Sequence, residues 1–74
     1  MRNLFSRFLR KQRVTKLTKQ EIFIWKLIAK GKRNREIATE LGISERTVKN
    51  HITRLFKEIG VRNRTEAAIK FDRR

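Results

Sequence analysis

From Leu17 onward, apolar residues recur at intervals of three and four, the spacing of one buried stripe on an α-helix, and capping residues punctuate each stripe. Thr18-Lys19-Gln20-Glu21 has the form of a capping box: the Thr18 hydroxyl accepts from the Glu21 N–H while the Glu21 carboxylate accepts from the Thr18 N–H. A first helix is predicted over 19–30, ended by Gly31 in the left-handed position that follows a helix terminus. On its wheel Glu21, Ile24, Trp25 and Ile28 cluster on the core side. Phe23 falls nearly opposite, between Lys26 and Lys30, with Leu27 beside it at i+4. Asn34 is expected to cap a second helix over 34–41, whose inward residues are Ile37, Ala38 and Leu41. A turn of Gly42-Ile43-Ser44 follows, with Ser44 as the cap of a third helix over 45–59. Val48, Ile52, Leu55, Phe56 and Ile59 face inward there, and Gly60 stops it. Thr65 is expected to cap a short fourth helix with Ala68, Ile69 and Phe71 as its apolar residues. No segment alternates as a strand does, so the domain is predicted to be all-α.

The segment 1–16 differs in kind. It carries six basic residues and no acid, with Leu4, Phe5, Phe8 and Leu9 forming one short stripe. We divide the chain into a basic amphipathic arm, 1–16, and a domain, 17–74. The arm has two readings: a basic tail whose apolar side touches the domain, or a surface-seeking segment like an organellar presequence or membrane-surface helix.

Composition narrows the function. The chain has 74 residues, with 21 Lys and Arg against 7 Asp and Glu, a formal charge of +14. Such an excess attracts polyanions, nucleic acid first and anionic lipid second. A chain of this length is expected to form one domain with a small core and no separate ligand-sensing module. There is no cysteine and one histidine, so neither a disulfide framework nor a thiolate zinc site is expected. His51 reads as a packed side chain, and Glu36 and Glu40 as surface ion-pair partners of Arg33 and Lys32. No phosphate-cradling glycine loop, paired-acid cleft or activated nucleophile stands out. We expect no catalytic residues, no cofactor and no metal.

The informative unit is 34–59: a short helix, a tight turn at Gly42, and a longer helix with polar residues on its outer face. This is the grammar of a helix-turn-helix, in which the first helix braces the second and the second enters the major groove of double-stranded DNA. With Val48, Ile52 and Leu55 inward, Arg46, Lys49, Asn50, Thr53 and Arg54 face out. Lysine donates to guanine O6 and N7, asparagine pairs with adenine N6 and N7, and threonine offers a methyl or hydroxyl. Lys49, Asn50 and Thr53 are the expected base readers. Phosphate contacts are expected from Asn34, Arg35, Ser44, Arg46, Thr47 and Arg54, and from Arg62 and Arg64 in the clamp around Asn63.

Residues 17–69 resemble the LuxR/FixJ/NarL-type DNA-binding domain. The resemblance is carried by Leu17-Thr18-Lys19-Gln20-Glu21, Leu27-Ile28-Ala29-Lys30-Gly31, Asn34-Arg35-Glu36-Ile37-Ala38, the run from Leu41 through Ile52, and Gly60-Val61-Arg62-Asn63-Arg64-Thr65-Glu66-Ala67. It implies a four-helix unit whose third helix reads bases at Lys49, Asn50 and Thr53. It also implies phosphate contacts at Asn34, Ser44, Thr47 and Arg64 or its neighbours, and a fourth helix that supports a two-fold homodimer. Three positions depart from the family pattern: Gln20 where Arg is common, Phe23 where Glu is frequent, and Arg33 where a small cap residue is usual.

The resemblance makes a sequence-specific transcriptional regulator, working in the bacterial cytoplasm, the leading expectation. The alternative is an RNA polymerase-associated module, similar to region 4 of sigma factors, docking through a strip formed by Phe23 and Leu27. Phe23 and Leu27 are equally the expected contact for the 1–16 arm.

Overall fold

The structure is a computed structural model that describes residues 17–73. The described residues form four helices: α1 Lys19–Ala29, α2 Asn34–Leu41, α3 Glu45–Ile59 and α4 Arg64–Arg73. No strand occurs among the described residues. The 1–16 arm, its apolar stripe included, lies outside them.

The punctuation works largely as the sequence implies. Thr18 Oγ1 accepts from the Glu21 N–H at 3.0 Å and Glu21 Oε1 accepts from the Thr18 N–H at 3.1 Å, closing the capping box. Ser44 Oγ accepts from the Thr47 N–H at 3.0 Å at the head of α3. At the other ends, Gly31, Gly42 and Gly60 all have positive φ. After each, the next N–H reaches back five residues: Lys32 to the Leu27 carbonyl, Ile43 to Ala38, and Val61 to Phe56, all at 3.0 Å. These bonds satisfy carbonyls that a helix end leaves without partners.

Two caps differ from expectation. Arg33, not Asn34, occupies the cap position of α2. Its side chain has no acceptor to offer, and the Glu36 carboxylate supplies half of a capping box by accepting from the Arg33 N–H at 2.7 Å. Glu36 is therefore a helix-start residue; the ion pairs among the described residues join Glu21 to Arg54 and Glu66 to Arg62. At α4 the cap is Asn63 rather than Thr65. Its Oδ1 accepts from the Glu66 N–H at 2.9 Å, and its carbonyl accepts from the Ala67 N–H. Ala67, not Ile69, is the α4 residue that packs into the core against α1; Ile69 is left 48% exposed.

The core is built from Leu17, Ile24, Trp25, Leu27, Ile28, Ile37, Ala38, Val48, Ile52, Leu55, Ile59 and Ala67. Trp25 ties α1 to α4: its Nε1–H donates to the Ala67 carbonyl at 2.8 Å. Phe71 meets the indole edge-on, with ring centroids 5.4 Å apart and planes at 74°. This geometry suits the aromatic quadrupole. Leu27 corrects the wheel reading, because it is only 4% exposed while Phe23 remains 38% exposed. Leu27 lies about 60° around the helix from Ile24, and α1 packs against both α3 and α4. Two neighbours cover a wider arc than one, so the supposed Phe23/Leu27 strip reduces to Phe23.

Candidate nucleic-acid interface

α3 divides cleanly along its length. Val48, Ile52, Leu55 and Ile59 are buried, and Glu45, Arg46, Lys49, Asn50, Thr53 and Arg54 are exposed. The division follows from helical geometry, since a strongly apolar stripe leaves the opposite side to the charged and amide residues. α2 packs against α3 and carries Ile37 and Ala38 into the core. Its first residue is thereby brought beside the exposed face of α3. Asn34, Glu45, Arg46, Lys49 and Asn50 line one open groove. Two expected base readers and two expected phosphate contacts thus converge, together with Glu45 from the first turn of α3.

The hydrogen bonds define what each side chain has left to offer. Thr53 Oγ1 donates to the Lys49 carbonyl at 3.0 Å, so its hydroxyl proton is committed to its own helix. Its methyl and oxygen lone pairs remain for a partner. Ser44 and Thr47 share a hydroxyl–hydroxyl bond of 2.9 Å, in addition to the cap bond. Lys49, Asn50 and Arg46 are exposed on the same side, and Arg35 is exposed on the second residue of α2.

Three arginines placed among the phosphate contacts make bonds within the protein. Arg54 Nε lies 3.2 Å from Glu21 Oε2, with 59% of the Arg54 side chain still exposed and Glu21 buried. His51 Nδ1 approaches the same oxygen at 3.7 Å. Glu21 thus closes the start of α1 with one oxygen and holds the middle of α3 with the other. Arg62 meets Glu66, which accepts from the Arg62 backbone N–H at 2.8 Å and faces its guanidinium at 3.4 Å. The backbone bond and then the nearby guanidinium hold the Glu66 carboxyl below the usual carboxylate range. Arg64 Nη1 donates to Asn34 Oδ1 at 2.8 Å, and Nη2 donates to the Lys32 carbonyl at 2.6 Å.

Sequence reasoning missed both long-range links, Glu21 with Arg54 and Arg64 with Asn34, because residues separated by about thirty positions carry no local signature. Asn63 was legible: it stands three residues before Glu66, the spacing of a cap and its N3 partner.

Comparison with known proteins identifies the family. The family model described as "Bacterial regulatory proteins, luxR family" matches residues 15–71. The transcriptional regulatory protein YdfI of Bacillus subtilis (strain 168) is 43% identical over 63 residues, which are 85% of this chain and 30% of YdfI. LiaR, a transcriptional regulatory protein of the same organism, is 51% identical over 53 residues, 72% of this chain and 25% of LiaR. The spore germination protein GerE, also from B. subtilis, is 43% identical over 54 residues and is matched over 73% of both chains. The chain thus spans less than a third of YdfI and LiaR but most of GerE.

Proposed function

The chain belongs to the luxR family of bacterial regulatory proteins, and on that footing we propose that it regulates transcription by binding specific sequences of double-stranded DNA. The N-terminal half of α3 lies in the major groove, where a channel ~12 Å wide accepts a helix ~10–12 Å across. The observation that carries this reading is the shared groove of Asn34, Arg46, Lys49 and Asn50. It sets base-reading chemistry next to phosphate-binding chemistry, as docking against a duplex requires.

In this reading Lys49 and Asn50 donate to base edges, while Thr53 presents its methyl group to thymine. Asn34, Arg35, Ser44, Arg46 and Thr47 grip the flanking phosphates. Arg54 and Arg62 contribute whatever donors their intramolecular bonds leave free. The charge of +14 supplies sequence-independent attraction. Affinity is expected to fall steeply with salt, by ~10³–10⁵ between 50 and 200 mM if six to ten phosphates are neutralised. The exposed Ile69, in a concavity with Val61, Lys70 and Arg73, supports a homodimer through α4. No described helix is long and apolar enough to cross a membrane; a cytoplasmic location in a bacterium is part of the proposed reading, supported by the DNA-binding role it assigns.

Selection of bound sequences from a random duplex pool tests the reading. An enriched motif, with half-sites spaced by about one helical turn if the protein dimerises, is the expected result. Recovery of the unselected composition at moderate salt refutes it.

A further inference from the structure

Arg64 opens α4, yet its guanidinium reaches the start of α2, where it bonds Asn34 Oδ1 and the Lys32 carbonyl. Both bonds are part-buried. A guanidinium has five N–H donors and no acceptor, so it faces only the oxygen end of a carboxamide. Chemistry therefore fixes the Asn34 amide: Oδ1 turns to Arg64, and the two Nδ2 hydrogens turn away from it. The surroundings agree. Asn34 lines the groove that contains Lys49 and Asn50, and Arg64 does not. Arg64 lines a separate concavity with Gly31, Lys32, Arg33 and Thr65. The guanidinium stands behind the amide as seen from the recognition face.

We propose that Arg64 is a positioning residue for DNA binding, holding the Asn34 amide so that Nδ2–H donates to a phosphate oxygen, and that it does not contact phosphate itself. The proposal rests on the reading that α3 lies in the major groove. It separates two roles that a basic residue can play at such an edge. A direct contact neutralises a phosphate and releases a counterion. A clamp behind a neutral amide supplies geometry alone.

The experiment is equilibrium titration of the parent protein, R64A, N34A, the double variant and N34D. Each is titrated on a selected duplex and on a scrambled one, over a salt series. R64A is expected to bind both duplexes ~2–12-fold more weakly, the worth of one net hydrogen bond. Its dependence of log affinity on log salt stays that of the parent. The double variant is expected to be no weaker than the weaker single variant, since both remove the same contact. N34D guards against misfolding: its carboxylate keeps Arg64 partnered, and melting checks that it folds. It should still lose at least as much affinity as N34A, because it presents lone pairs to phosphate. A salt slope smaller by about 0.9 in R64A, additive losses in the double variant, or parent-like binding by N34D each overturns the proposal. Failure of the parent to discriminate the two duplexes would instead overturn the base-reading assignment, an outcome distinct from these three.

Discussion

Glu21 is the side chain whose replacement most directly tests how this small domain is held together. It is 1% exposed, and each of its oxygens has a separate task. Oε1 accepts from the Thr18 N–H at 3.1 Å, and Oε2 lies 3.2 Å from Arg54 Nε. Glu21→Ala leaves the part-buried Thr18 N–H without its acceptor, at about 1–3 kcal/mol. It also removes the Arg54 pair, which counts for only about 0–1 kcal/mol because the arginine is largely in water and regains solvent. Together these come to about 3 kcal/mol before any cavity. Glu21→Gln keeps an oxygen for Thr18 and sacrifices the attraction to Arg54, at no more than about 1 kcal/mol. For a domain of this size these become falls in Tm of about 12–24 °C for Ala and at most about 4–8 °C for Gln. Thermal unfolding followed by circular dichroism, at low and high salt, reads both. Added salt is expected to narrow the Gln deficit, which is mostly charge, and to leave most of the Ala deficit. Equal losses for the two variants, or an Ala deficit that salt abolishes, would refute the division of labour between the two oxygens.

Other consequences are equally open to measurement. Lys49→Ala is expected to weaken binding to the preferred duplex by ~1–3 kcal/mol while leaving binding to random duplex nearly unchanged; equal losses on both would remove Lys49 from the base readers. Leu27→Ala is expected to cost ~2–5 kcal/mol by opening a cavity in the core, whereas Phe23→Ser costs less than about 1 kcal/mol; denaturant titration compares them. Glu66→Gln should melt below the parent at neutral pH. A carboxyl held below its usual range in the folded state stabilises above that range and loses the effect as pH falls through its folded value, so the gap closes in acid. A gap that persists at low pH would show that the ionised form is not what stabilises the turn.

Neighbouring residues along the chain are enough to set the helices, most of their ends and the outward row on α3. These features are written in local spacing: a cap and its partner three residues on, a glycine where φ must be positive, an apolar residue every three or four positions. The second helix shows that a local rule can be met from its other half. Arg33 has no oxygen with which to cap, yet Glu36 closes back on its N–H and the helix starts there.

How the helices cover one another, and which charged groups meet across them, depended on packing. Leu27 was assigned to the surface from the wheel of a single helix, and it became core because α1 has two packing neighbours. Arg54 and Arg64 look alike in the sequence, as outward basic residues near a candidate DNA face. Folding aims one at a buried carboxylate and the other at an amide and a carbonyl. Local periodicity reports which side of a helix is greasy. It carries no record of what lies thirty residues away, and that is where these two arginines find their partners.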